Sequence, residues 1–233
     1  MTISANLNYW AVVPAAGSSQ RMGAEVPKQY LPLAGRSVIE WSLGPLLRRQ
    51  DIAAIVVVLA RDDQRWPALH VAQHSKLITT IGGAERSDSV RAGLAALAGR
   101  AAPQDWVLVH DAARPCLSDE DLNCLMTELR DDDVGGLLAA PVVDTLKRAD
   151  ETGHALETVA RAGLWRALTP QMFRYGVLQR ALTGAAAVTD EAQAVEALGL
   201  RPRLIPGSAD NIKITVRDDL PRAARILQES GTT

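Results

Sequence analysis

The sequence predicts an α/β fold, an open and mostly parallel twisted sheet flanked by helices on both faces. Three observations carry that expectation. Strand-like and helix-like segments alternate from residue 10 to residue 140. Residues 52–60 are continuously apolar, the pattern of a strand covered on both faces. Two strand-like segments, 10–13 and 106–110, end directly in loops of small or charged residues. In open α/β sheets the ligand crevice lies past such carboxyl ends. With 233 residues, 47% of them hydrophobic, the chain can fill one sizeable core, so residues 1–233 are expected to form a single domain.

Taken in order, residues 10–13 form the first strand. Residues 37–49 form a helix with Ser37 as its cap. A strand at 52–60 follows, then one at 77–81. Ser87 or Asp88 opens a helix that runs to Leu97. The strand 106–110 ends at Asp111. The helix 118–130 opens with Ser118 and acidic residues that oppose its dipole favourably. Residues 134–140 are another strand. The rhythm then breaks. Residues 143–148 and 155–160 are polar extended segments around Asp150, Glu151, Thr152 and Gly153, which make turn material. An isolated two-stranded hairpin is marginal in water. Residues 141–161 are therefore expected to protrude as a β-hairpin arm that packs on a second subunit, giving a homodimer. Helices return at 174–182 and 190–198, the latter capped by Thr189. Strands at 203–205 and 212–216 and a helix from Asp218 complete the chain.

The bulk numbers exclude several classes. A formal net charge of -2 does not suit a general nucleic-acid binder, so any polyanion site must be local. Cys116 and Cys124 are the only cysteines, too few for a disulfide framework. Residues 1–8 do not resemble a signal peptide, and no apolar run approaches a membrane span, so a cytoplasmic location is expected. His70, His74, His110 and His154 are scattered without zinc spacing.

Four segments carry chemistry. Pro14, Ala15, Ala16, Gly17, Ser18 and Ser19 leave the backbone open to close approach, and Arg21 and Lys28 add charge, one as a planar fork and one as a point charge. The pattern suits a phosphate-wrapping loop, although it is neither G-x-x-x-x-G-K-[ST] nor G-x-G-x-x-G. Gly82 and Gly83 precede Glu85, Arg86, Asp88 and Ser89: room for a flat base, or a glycine turn with a helix cap. Asp111, Ala112, Ala113, Arg114 and Pro115 follow a buried strand. Asp111 could hold a metal ion or a sugar hydroxyl, or pair with Arg114; magnesium is usually held by one or two carboxylates together with phosphate. Asp210 and Lys213 lie near one strand edge, where Lys213 could reach a phosphate and Asp210 could pair with it.

Together with Arg161-Ala162-Gly163-Leu164-Trp165, Thr169-Pro170-Gln171 and Thr189-Asp190-Glu191, these segments resemble, in order and over nearly the whole chain, the 2-C-methyl-D-erythritol 4-phosphate cytidylyltransferase family. The resemblance implies a Rossmann-like nucleotidyltransferase fold, CTP and a sugar-alcohol phosphate as substrates, and magnesium as cofactor. It implies that Ala15 to Ser19 cradle the triphosphate and that Arg21, Lys28 and Lys213 stabilise the reacting phosphorus. Gly82, Gly83, Asp88 and Ser89 then line the cytosine pocket, and Asp111 and Ala112 lie by the ribose and the metal. Arg114, Thr145, Arg161, Thr169, Thr189 and Asp210 fall on the acceptor side, with Thr145 and Arg161 completing the pocket of the other subunit. Ala84 departs from an acidic residue found in some relatives. The rival readings are a cytidylyltransferase for another polyol phosphate, such as ribitol 5-phosphate, a nucleotide-binding regulator without chemistry, and a sugar-nucleotide glycosyltransferase.

Overall fold

A computed structural model describes residues 7–17, 26–184 and 188–231. The first apolar run is β1 (Tyr9–Pro14), whose side chains alternate between the two faces of the sheet. Ala11 and Val13 join one core, and Trp10 and Val12 the other. β2 (Pro32–Leu33) and β3 (Arg36–Ser37) form a short antiparallel pair before α1 (Val38–Arg48). Ser37 caps α1 through a capping box with Glu40, as the sequence predicts. Next come β4 (Ile52–Leu59), β5 (Leu77–Ile81), α2 (Arg86–Ala95), β6 (Trp106–Val109), α3 (Asp119–Glu128) and β7 (Gly135–Pro141). The hairpin is β8 (Leu146–Ala149) paired antiparallel with β9 (Ala155–Val159), in a sheet of its own. The chain ends with β10 (Trp165–Arg174), α4 (Tyr175–Gly184), α5 (Glu191–Glu196), β11 (Arg203–Pro206) and α6 (Asp219–Glu229).

The main sheet has the order β11-β7-β10-β6-β1-β4-β5. Its strands share one direction except β10, which runs antiparallel to both β6 and β7. The chain winds from β1 outward through β4 and β5, then returns to β6 on the opposite side of β1. The strand order therefore reverses between β1 and β6, which opens a crevice past their carboxyl ends.

One face of the sheet is covered by α1 and α3, whose Ile39, Leu43, Leu122 and Leu125 pack on Ile55, Val57 and Leu108. The other is covered by α2, α4 and α5 through Val90, Leu94, Leu178 and Val195. A third cluster sets Ala223 and Leu227 of α6 with Leu33, Val38, Trp41, Ile212 and Ile214. Burying an aliphatic side chain as fully as Ile214 contributes about 1.5–3 kcal/mol, and here it anchors the loop that carries Lys213.

Three local expectations need correction. Residues 212–216 form no strand; they are a loop whose Ile212 and Ile214 are buried, and the Ile214 N–H donates to the Ala113 carbonyl. Alternating apolar residues thus reflect packing without a strand ladder. Asp190, not Thr189, caps α5, accepting from the Gln193 N–H. The strand β10 is absent from the sequence-based series. It lacks a continuous apolar run, and Pro170 argues against a central strand. The register shifts between Ala167 and Gln171, and that irregularity accommodates the proline. On the arm, Val143 and Leu156 leave large apolar side chains uncovered. Among the described residues no helix is long and apolar enough to cross a membrane.

Candidate active site

A cleft of about 480 Å³ opens beyond the carboxyl ends of β1 and β6. One wall is Pro14, Ala15, Ala16 and Gly17, with Lys28 and Gln29 beside it. Gly83 to Arg86 and Ser89 form a second wall, and Asp111, Ala112, Ala113, Lys213 and Thr215 the third. Ser18, Ser19 and Arg21 lie outside the described residues.

The small-residue loop is held from behind. The Ala15 N–H donates to the Val58 carbonyl of β4 at 2.8 Å. The buried Gln29 amide donates to the Ala15 carbonyl at 2.7 Å and to that of Gly17 at 3.2 Å. The sequence does not mark Gln29, because a glutamine in a short turn carries no signal of its own. Gln29→Ala removes the donor to a buried carbonyl, and is expected to lower stability by about 1–3 kcal/mol in urea denaturation. A variant as stable as the parent would mean that the loop does not depend on this clamp.

The second wall approaches the first closely. A side chain at Gly82 would put its Cβ 2.5 Å from Ser89 Oγ and 2.9 Å from Ala16 Cβ. At Gly83 the Cβ would lie 2.4 Å from that of Asp88. Glu85 is the N-cap of α2, which starts at Arg86, and Asp88 completes its capping box: it accepts the Glu85 N–H at 3.1 Å and pairs with Arg91. Ser89 is buried and donates from its hydroxyl to the Glu85 carbonyl at 3.3 Å.

Asp111 is the centre of the third wall. Its Oδ1 accepts from Arg86 Nε at 3.0 Å, and its Oδ2 from Lys213 Nζ at 2.8 Å. Arg114 stands farther off, with Nε 3.7 Å from Oδ2. Burial alone would raise the Asp111 carboxyl, but the Arg86 and Lys213 cations override it and hold it well below the usual carboxylate range. Lys213 therefore pairs with Asp111, and not with Asp210. Arg86 also forks onto Glu191 of α5, at 2.5 Å and 3.1 Å. Burial disfavours the Arg86 cation, yet Glu191 and Asp111 outweigh it and raise its pKa. Burial also pushes Glu191 up against the pull of Arg86. A guanidinium stays protonated, so a carboxylate facing its fork keeps its charge.

Behind Asp111 runs a directed chain of hydrogen bonds. The Asp111 N–H donates to Thr169 Oγ1 at 3.1 Å, and that hydroxyl lies 3.0 Å from His110 Nδ1. His110 Nε2 lies 3.2 Å from the Arg114 carbonyl. A carbonyl only accepts, so Nε2 carries the proton and Nδ1 accepts from Thr169. Burial lowers the His110 pKa to about 4, so the ring is neutral near pH 7. Arg114 is committed to the Asn211 carbonyl at 2.7 Å, and the fully buried Asn211 donates to the Thr169 carbonyl at 2.7 Å. This lock fixes the backbone two residues ahead of Lys213.

The other sequence-derived residues stand apart from the cleft lining. Thr145 and Arg161 are exposed at the base of the arm, where Arg161 donates to the Val143 carbonyl. Thr189 is exposed and donates to Gln193 from both its N–H and its hydroxyl. Asp210 is exposed, its N–H donating to Ser208 Oγ at 3.1 Å. The sequence gives no signal for the roles of Arg86, Glu191 and Asn211, since the Arg86–Glu191 contact joins positions 105 apart. The assembled site offers cations around one carboxylate, beside a loop of small residues. Its histidine is sealed away from the cleft, so the site suits electrostatic handling of phosphates better than base catalysis.

Comparison with known proteins agrees with this geometry. The family model for 2-C-methyl-D-erythritol 4-phosphate cytidylyltransferase matches residues 9–229. A curated protein of that description from Pseudomonas fluorescens (strain Pf-5) is 55% identical, over 91% of this chain and 92% of its own length. One from Dechloromonas aromatica is 53% identical, covering 94% and 97%. The crystal structure of the Francisella tularensis enzyme superposes with a TM-score of 0.82 at 33% identity, covering 94% of this chain and 100% of that one. The chain belongs to the 2-C-methyl-D-erythritol 4-phosphate cytidylyltransferase family.

Proposed function

We propose that this cleft transfers CMP from CTP to 2-C-methyl-D-erythritol 4-phosphate, acting in the cytoplasm. The products are 4-diphosphocytidyl-2-C-methyl-D-erythritol and pyrophosphate. The observation that carries the reading is the meeting of Lys28, Lys213 and ionised Asp111 around the small-residue loop in one cleft. The acceptor phosphate attacks the α-phosphorus in line: one P–O bond forms as the bond to the leaving pyrophosphate breaks. A phosphate dianion is already a usable nucleophile, so the chemistry needs no base, in keeping with the sealed, neutral His110. The barrier lies in bringing anions together, and positioning and electrostatic stabilisation lower it.

In this reading Pro14 to Ser19 wrap the triphosphate, and Arg21, Lys28 and Lys213 offset the charge that builds at the reacting phosphorus. The Ala15 N–H is already bonded to Val58, so the loop's phosphate donors come from Ala16 onward. Gly82, Gly83, Asp88 and Ser89 shape the base pocket, Asp88 through the capping box that it forms with Glu85 at the start of α2. Asp111 and Ala112 lie by the ribose. Among the described residues no three acidic, histidine or cysteine side chains cluster to hold a metal. One buried, ionised carboxylate fits a magnesium ion that shares its other sites with phosphates and water, and Asp111 is that carboxylate. Bound there, magnesium supplies positive charge to the phosphate oxygens. Arg114 and Thr169, which support Asp111 and the Lys213 loop from beneath, are assigned to the acceptor side together with Thr189 and Asp210.

We assign residues 1–233 to one nucleotidyltransferase domain with residues 141–161 as a dimerisation arm. The uncovered Val143 and Leu156 support a subunit contact there, and Thr145 and Arg161 then reach the partner's acceptor pocket. Arg161→Ala is expected to raise the acceptor KM about tenfold, the scale of one charge-assisted bond to phosphate, and to leave CTP binding nearly intact. Steady-state kinetics with each substrate varied would expose the opposite pattern.

The reading itself is tested by pyrophosphate release from CTP and magnesium with either 2-C-methyl-D-erythritol 4-phosphate or ribitol 5-phosphate. Release is expected with the first acceptor and to vanish when acceptor or metal is omitted. Faster turnover of ribitol 5-phosphate would give the site to the other polyol. CTP binding with no release under any condition would make the chain a regulator.

A further inference from the structure

Arg86 and Glu191 have no task in the reaction just described, yet the geometry ties them to its central carboxylate. Glu191 lies in the first turn of α5 and is 1% exposed. That turn is fixed to the sheet by Gln171 of β10, whose amide donates to Asp190 at 3.0 Å and whose oxygen accepts the Ala192 N–H at 2.8 Å. Both Glu191 oxygens accept from Arg86, which turns its Nε to Asp111 Oδ1. A planar guanidinium satisfied along both edges cannot rotate away without stranding a buried carboxylate. Lys213 differs. Its side chain is 37% exposed and holds Oδ2 as a point charge on a flexible stem.

We infer that Glu191 is a positioning residue: acting through Arg86 it holds Asp111 Oδ1, so that Oδ2 alone is offered to the incoming metal–nucleotide complex as Lys213 turns from it to phosphate. The inference rests on the CTP-using reading above. In structural terms Arg86 and Glu191 are a strut between the helix start that flanks the base pocket and the Thr189 turn on the acceptor side.

Calorimetric titration of CTP, with and without magnesium, tests this without relying on turnover. Magnesium is expected to tighten CTP binding to the parent protein. In Glu191→Gln that gain is expected to shrink about tenfold, with the magnesium-free affinity within about twofold, the scale seen when an outer partner of a ligating carboxylate is lost. Partial unfolding lowers the number of sites and leaves this ratio of affinities unmoved. Arg86→Lys cannot fork onto two carboxylates and is expected to match Glu191→Gln, and the double variant to lose no more than either single one. If Glu191→Gln does not fold, Glu191→Asp, which keeps the charge but withdraws it by one methylene, is expected to move the ratio in the same direction. An unchanged magnesium gain in a folded variant overturns the inference, as does a parent protein whose CTP affinity ignores magnesium. A parent protein that binds no CTP overturns instead the reading beneath it.

Discussion

Lys213→Met is expected to lower turnover about a hundredfold, the consequence of removing one well-placed donor from a transition state that gathers negative charge. Methionine keeps most of the stem's volume and discards only the ammonium. The fold should notice little. The side chain is 37% exposed, so solvent screens its pairing with Asp111, and Asp111 keeps Arg86 at 3.0 Å. A loss of about 1 kcal/mol or less is expected in urea denaturation. Single-turnover pyrophosphate release separates chemistry from product release. Near-normal rates in a folded Lys213→Met protein would remove this lysine from the catalytic account, and Lys28→Met offers the same comparison from the opposite wall.

Acidification from pH 6.5 to 4 is expected to withdraw about 3 kcal/mol of stability through His110 alone. The sign follows from which state binds the proton. Unfolded, the imidazole titrates near 6.5; folded, burial lowers it to about 4. Between those values the unfolded chain takes up a proton that the native protein refuses, so stability falls as pH falls. Below about 4 both states are protonated and this contribution levels off. Asp111 acts lower: its depressed carboxyl stabilises the fold above the ordinary carboxylate pKa of 3.8, and that contribution is lost on further acidification. Urea melts from pH 7 to 4 should therefore show a steep slope in the parent protein. His110→Gln can keep one donor and one acceptor without titrating, and should flatten the curve. An equal slope in both proteins would assign the acid sensitivity elsewhere.

The sequence makes the winding of the sheet legible because its strands either run apolar without interruption, as at β4, or end in conspicuous loops, as at β1 and β6. The loop after β6 also marks Asp111 as a site candidate. Strand β10 stays hidden for a physical reason. Its central place in the sheet is secured by neighbours on both sides, so it tolerates Thr169, Pro170 and Gln171, whose polar groups serve the site and the α5 turn. The loop at 212–216 misleads in the opposite way, since alternating burial against α6 imitates a strand. The supports of the site escape for lack of local signal. Gln29, Glu191 and Asn211 act by reaching across the fold, and no spacing along the chain announces that reach.

The bare backbone at Gly82 constrains how this enzyme can change over generations. Any side chain there would put its first carbon within 2.5 Å of Ser89 Oγ and 2.9 Å of Ala16. Enlargement of that residue by a single substitution is thereby disfavoured, because the neighbours on both walls would have to give way together. Tolerance would have to come through concerted replacement of several contacts, a far rarer event.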